Sequence, residues 1–331
     1  MQQQQQQQQQ QEQLNVSNMS SAVQVSVENQ VASAVLGVCF ILGVPGNLVV
    51  VHVLRHKLGG GSFTLWLMLN LAVSDLLTLL TLPVWIHTLQ HGWSLGSVAC
   101  KILAHLVYWS LYTSVLCVTL LSVQRYVQVL YPQRWTKIKA TVHRILLAIV
   151  WTLGGLMSCH ALVQREVVLL KDGLLHCRPE YGSDGENIAT HLLESLLLFV
   201  LPFSILASLY IALHRRVKQT VRSGHKRMKK LVFRIIMVFF VLSIPIHLNN
   251  LLTVGAVSSG SQNFLQFTRV TGNIAGAVTF INSCVNPFLY AFSHRTLRRA
   301  SIIGTLNQNS SSVQSCSINA KQHVMVSGDL I

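Results

Sequence analysis

Seven stretches of this chain are each long and apolar enough to cross a lipid bilayer, and no other feature narrows the possible folds as far. They run near Val31–Leu54, Phe63–Leu89, Ile102–Tyr126, Ile145–Val163, Ile188–Leu213, Leu231–Val254 and Leu265–Phe292. A helix of about 20 apolar residues spans the hydrocarbon core of a bilayer. One such run alone reads as a buried core helix of a soluble protein; seven in succession, joined by short polar connections, do not. Pro45, Pro83, Pro202, Pro245 and Pro287 all fall inside the runs. Soluble helices avoid proline there, whereas in lipid neighbouring helices and waters satisfy the freed carbonyls. Composition agrees, because 11% charged residues are too few to clothe a soluble chain that is 51% hydrophobic. The expected fold is all-α, a seven-transmembrane helix bundle.

The formal net charge of +15 raises the question of a nucleic-acid partner. That reading needs a soluble basic face, and here the basic residues lie between apolar runs. Their distribution instead orients the bundle. With the N-terminus outside, 20 of the 25 Lys and Arg residues fall on the cytoplasmic side; Lys101, Arg165, Lys171, Arg178 and Arg269 are the exceptions. Short basic loops stay in the cytoplasm, so the N-terminus is expected outside and the C-terminus inside. The chain opens on a glutamine tract, Gln2 to Gln11, and the first span is expected to act as its own insertion signal. Residues 1–29 read as a disordered extracellular segment, 30–293 as the transmembrane domain and 304–331 as a disordered cytoplasmic tail. Residues 294–303, where Leu297 alternates with Arg295, Arg298 and Arg299, read as a short amphipathic helix on the inner leaflet. The sequons at Asn15 and Asn18 then lie where glycosylation occurs.

Of the seven cysteines, only Cys100 and Cys177 fall in polar extracellular connections, which makes them a candidate disulfide. Cys316 lies in the tail and is a candidate for palmitoylation. Charged and polar groups in hydrocarbon are costly and mark sites. Asp75 sits mid-span, and with Ser114, Asn282, Ser283 and Asn286 it offers the oxygen donors of a small hard cation such as sodium. The same set also reads as an interhelical hydrogen-bond network with ordered water. Arg125 ends the third span, where it either snorkels to the interface or has a functional role. Toward the outer ends lie His105, Tyr108, Tyr112, Arg165, His191, Glu194, His247 and Asn250, candidates for one polar cavity with both signs of charge. An arginine there would grip an acidic ligand group with two parallel hydrogen bonds.

The order of motifs along the chain carries a resemblance. Gly46-Asn47, Leu71-Ala-Val-Ser-Asp75, Trp93-Ser-Leu-Gly before Cys100, Gln124-Arg125-Tyr126, Trp151, Pro202 with Tyr210, Phe239 with Pro245, and Asn286-Pro287-Phe-Leu-Tyr290 follow one another, span by span. From Gly46 to about Arg299 the chain resembles the rhodopsin-like (class A) G-protein-coupled receptors. The resemblance implies a Cys100–Cys177 disulfide tying the third helix to the second extracellular loop. It also implies a cytoplasmic switch built on Arg125, Tyr126, Tyr210, Asn286, Pro287 and Tyr290. It implies a heterotrimeric G protein and arrestin as partners, a plasma-membrane location and no enzymatic activity. Two positions depart from the pattern: Gln124 stands where an acid usually precedes the switch arginine, and Ser243 where an aromatic usually precedes Pro245. Without a carboxylate to hold Arg125, raised basal activity is expected. Phe280 occupies the position of the retinal lysine in opsins, which argues against a photoreceptor.

Within that family the chain looks most like the leukotriene B4 receptors, including the lower-affinity second type, which also carries glutamine before the switch arginine. The stretches that carry this are Leu80-Thr-Leu-Pro-Val-Trp-Ile-His87, Ser110-Leu-Tyr112-Thr-Ser-Val-Leu, Glu194 eight residues before Pro202, and Pro245-Ile-His247-Leu-Asn-Asn250. Tyr112, Arg165, Glu194, His247 and Asn250 fall on pocket positions of that group. His105 stands one residue after the group's histidine position, which is Ala104 here. The resemblance implies a lipid chemoattractant, leukotriene B4 or a related hydroxy-fatty acid, with Gi coupling, chemotactic output and no cofactor beyond a bound sodium ion. A chemoattractant peptide is the alternative within the family. A transporter is the alternative outside it, but the sequence shows no internal repeat or paired helix breaks.

Overall fold

Backbone that enters hydrocarbon has to satisfy its own N–H and C=O groups, and the apolar runs do this as helices. A computed structural model describes residues 27–57, 63–170, 173–217 and 223–287. The first helix is Val27–Lys57, and the second comes in two pieces, Phe63–Leu79 and Leu82–His91. The third is Gly96–Leu130, and the fourth is Ala140–Met157 with a short continuation, His160–Gln164. The fifth is Asp184–Ser195, which passes through a π-helical turn, Leu196–Val200, into Leu201–Val217. The sixth is Ser223–Ser258, and the seventh is Gln262–Thr279, which turns at Phe280 and resumes over 281–287. Among the described residues, six helices are long and apolar enough to span a membrane by themselves. The seventh helix carries Gln262, Asn263, Gln266, Arg269 and Asn273 in its first turns and is less apolar for that reason.

The second span departs from the single helix expected of it. Its ladder breaks at Leu80 and Thr81, just before Pro83, which has no N–H to continue the bonding. The Thr81 hydroxyl and backbone N–H both donate to the Thr78 carbonyl, at 2.7 and 3.1 Å, and close a tight turn at the break. The first helix begins at Val27, inside the segment expected to be disordered up to residue 29.

The third helix packs against the second, fourth, fifth and sixth, and the ring closes where the seventh meets the first. Its contact with the fourth is close because Gly154 faces it; a Cβ there would lie 2.5 Å from Thr113 Oγ1. Two indoles hold this corner: Trp109 Nε1 donates to the Trp151 carbonyl at 2.9 Å, and Trp151 Nε1 donates to Asn70 Oδ1 at 2.8 Å.

At the extracellular end, a hairpin that the helical expectation did not include covers the bundle. β1 (Arg165–Leu169) pairs antiparallel with β2 (Leu175–Pro179), with Val167 opposite Cys177. The Cys100–Cys177 disulfide fastens β2 to the third helix, as the sequence implied. Lys101 Nζ meets Glu166 Oε1 at 2.6 Å on β1, and the Trp93 N–H donates to the Leu175 carbonyl at 2.6 Å. Tyr290, the amphipathic helix proposed for 294–303, Cys316, Asn15 and Asn18 lie outside the described residues.

Candidate ligand-binding site

An α-helix advances 100° per residue, so only one stripe of the third helix can face the bundle axis. Ala104, Val107, Tyr108, Leu111, Ser114, Val115 and Val118 form that stripe and line a cavity of about 1580 Å³. The cavity is rimmed at its outer end by β2 and Arg165 and runs inward to Asp75. The sequence candidates Arg165, Tyr108, His191, Glu194, His247 and Asn250 all line it.

These residues form one connected cluster. The Arg165 guanidinium lies 5.9 Å from the centroid of the Tyr108 ring, and Arg165 Nη1 donates to the Cys177 carbonyl at 3.4 Å. Glu194 Oε1 meets His160 Nε2 at 3.3 Å, and Glu194 Oε2 accepts from Asn250 Nδ2 at 3.4 Å. The Ser195 hydroxyl accepts from Asn250 Nδ2 at 3.4 Å and lies 3.4 Å from His247 Nδ1. Among the described residues His191 Nδ1 has no hydrogen-bond partner, and it is buried. Tyr181, from the loop after β2, also lines the cavity, and burial pushes its hydroxyl up to about 12, so it meets any ligand as a neutral group. Outside the cavity, the hydrogen bond from Lys101 holds Glu166 below the usual carboxylate range.

Two sequence candidates fall elsewhere. His105 does not line the cavity; its Nδ1 lies 3.1 Å from both the carbonyl and the hydroxyl oxygen of Ser158 on the fourth helix. The reason is helical phase: Ala104, one residue earlier, takes the inward position in line with Tyr108. Tyr112 is buried behind the lining, with its ring 6.3 Å from that of His160. His160 is the member that sequence reasoning passed over, although a histidine in an apolar run five residues before Arg165 was a usable signal.

At the cavity floor, Asp75 is buried and accepts from Asn286 Nδ2 at 2.8 Å and from Ser114 Oγ at 3.2 Å. Ser283 is buried beside them, and its carbonyl accepts from Asn47 Nδ2 at 2.9 Å. Asn282 does not join this set: its amide points to Ser243 Oγ at 3.3 Å and to the Phe239 carbonyl at 3.5 Å. Ser243 therefore links the sixth helix to the seventh by hydrogen bonding where an aromatic ring was expected.

On the cytoplasmic side, Gln124 is buried and donates to Thr64 Oγ1 at 2.6 Å. Arg125 Nη1 donates to Gln128 Oε1 at 3.3 Å on its own helix, so the neighbouring side chain does not restrain it. Tyr210 stacks on His214 at 6.1 Å between centroids, and Tyr126 is half-buried. Pro287 packs against Gly46, where a Cβ would lie 3.1 Å from the proline ring.

A bundle of membrane-spanning helices with a disulfide-tied extracellular hairpin over a deep cavity of mixed polar and apolar lining is the architecture of a seven-helix receptor. The chain belongs to the rhodopsin family of seven-transmembrane receptors, whose family model matches residues 46–290. Among its relatives, the human leukotriene B4 receptor 1 is 31% identical over 88% of this chain and 85% of its own length. The rat (Rattus norvegicus) leukotriene B4 receptor 1 is 32% identical, over 81% of this chain and 78% of its own. The zebrafish (Danio rerio) C5a anaphylatoxin chemotactic receptor 1 is 31% identical, over 82% and 80%. The protein is a multi-pass plasma-membrane receptor that takes an extracellular ligand and signals to a heterotrimeric G protein; it is not an enzyme.

Proposed function

We propose that the chain is a receptor for a lipid chemoattractant, leukotriene B4 or a related hydroxy-fatty acid, signalling through Gi-type G proteins to a chemotactic response. The observation that carries this reading is Arg165 at the head of a cavity that holds a connected set of hydroxyl partners. A hydroxy-fatty acid has one carboxylate, hydroxyls along its chain and a long apolar tail. Arg165 suits the carboxylate, and Glu194, Asn250 and His247 suit the hydroxyls, with His160 holding Glu194 from behind the lining. Val107, Leu111, Val115 and Val118 supply the apolar wall for the tail.

Around this core, Asp75 with Ser114, Ser283 and Asn286 would hold a sodium ion, a hard cation that takes oxygen ligands. The fit rests on a buried carboxylate whose two bonded partners are neutral side chains. Arrestin remains a proposed second partner.

The likeness to a C5a receptor keeps a peptide ligand as the competing reading, and the charged cavity rim (Arg178, Glu180 and Arg269) favours it. Cells displaying the chain are challenged with leukotriene B4, other hydroxy-fatty acids and chemoattractant peptides, and Gi activation is read. Saturable activation by a hydroxy-fatty acid that pertussis toxin abolishes supports the proposal. Activation by a peptide alone overturns it.

A further inference from the structure

At the extracellular tip of the second helix, His87 and His91 stand four residues apart and both are exposed. That spacing puts two side chains on one face of a helix, one turn apart. Their rings lie 4.7 Å apart between centroids and within 25° of parallel. His91 Nδ1 lies 3.2 Å from the His87 carbonyl oxygen. With its proton on Nδ1, His91 donates to that carbonyl and turns the lone pair of Nε2 outward. This is the tautomer and support that metal-ligating histidines adopt, one nitrogen held by a carbonyl and the other on the metal.

We propose that His87 and His91 form an extracellular binding site for a divalent transition-metal ion of the zinc and copper class. Imidazole suits those ions, whereas calcium and magnesium demand oxygen ligands. Among the described residues no cluster of three or more His, Cys, Asp or Glu is placed to hold a metal. Water or a small anion therefore completes the coordination, and the ion exchanges freely. The site lies on the helical piece whose Trp85, Thr88 and Leu89 line the ligand cavity. The residue two after His91, Trp93, is bonded to β2. A metal bridging one turn here staples the helix end on which the cavity wall and the hairpin both lean. The inference is independent of which ligand the cavity takes.

A second histidine pair, His52 and His56 on the first helix, has its rings 4.8 Å apart but at 71°. It lies at the cytoplasmic end, so it is removed from every test protein as His52→Gln with His56→Gln. The test uses that full-length receptor in lipid nanodiscs, purified without a polyhistidine tag. Copper(II) is titrated, the nitrogen couplings are read by electron paramagnetic resonance, and zinc is then added as competitor. The expected spectrum shows two imidazole nitrogens at one copper per receptor, displaced by zinc. His87→Gln or His91→Gln is expected to weaken zinc uptake at least tenfold. Both side chains are exposed, so the variants should melt like the parent in the absence of metal. A parent spectrum with no more than one imidazole nitrogen overturns the site without recourse to any variant. So does zinc uptake that is unchanged in the double variant His87→Gln with His91→Gln.

Discussion

At Glu194 one carboxylate, with its side chain 12% exposed, serves His160 through one oxygen and Asn250 through the other. Removing it leaves His160 Nε2 without its partner and Asn250 Nδ2 with Ser195 alone, and leaving a buried polar partner unpaired costs more than an exposed contact is worth. Glu194→Ala is expected to lower stability by about 2–3 kcal/mol, read as a fall in the melting temperature of the solubilised receptor. Glu194→Gln keeps an oxygen for His160 and should recover most of that loss while still weakening ligand potency. Equal melting losses in the two variants would assign Glu194 a packing role only. At this scale the sequence disclosed residue types better than directions. Tyr108, Arg165, Glu194, His247 and Asn250 face the cavity as expected. His105 and Tyr112 do not, because a residue's inward direction depends on helical phase and on the Gly154 contact that sets the rotation of the third helix. A polar residue in an otherwise apolar run marks His160 in the sequence, but its pairing with a carboxylate on another helix is visible only in the fold.

The elements themselves were legible because lipid leaves the backbone few alternatives to helix. Among the described residues a helix lies over each of the seven apolar runs, while their ends and interruptions needed the three-dimensional context. The break before Pro83 was announced by the proline, although proline inside a membrane helix does not by itself say whether the helix bends or stops. The extracellular hairpin had weaker signals, Val167-Val168-Leu169 and the Asp172-Gly173 pair, an Asp-Gly step that favours tight turns. Gly154 gives this scale its sharpest prediction. Gly154→Ala places a Cβ 2.5 Å from Thr113 Oγ1 and 3.2 Å from the Thr113 backbone nitrogen, so the third and fourth helices have to separate. A loss of about 1–3 kcal/mol is expected, as for other overpacked contacts. Gly276→Ala meets nothing within 4 Å and should be neutral. Melting curves of the two variants side by side check both statements, and similar curves would contradict the account of the third–fourth contact.

Across the whole molecule, a ligand at one end and a G protein at the other communicate only through differential affinity for two states of the bundle. Gln124 is turned to Thr64 and leaves Arg125 with a glutamine partner on its own helix, so the inactive state lacks one ionic restraint. Gln124→Asp is therefore expected to lower ligand-free nucleotide exchange on the G protein; unchanged exchange at matched surface expression would sink this idea. Asp75→Asn should abolish any inhibition of agonist binding by sodium, and persistence of that inhibition would move the cation elsewhere. Both effects are secondary to the claim that Arg165 receives the carboxylate of a hydroxy-fatty acid. A charge-assisted contact of this kind is worth about 1.5–3 kcal/mol, and each ~1.4 kcal/mol is tenfold in affinity. The most direct measurement is Gi activation by leukotriene B4 and by its methyl ester, each on the parent receptor and on Arg165→Ala. The account predicts that the acid loses at least tenfold in potency on Arg165→Ala, that the ester is already weak on the parent, and that the mutation barely changes the ester further. Equal losses for acid and ester, or none for the acid, would contradict a carboxylate contact at Arg165.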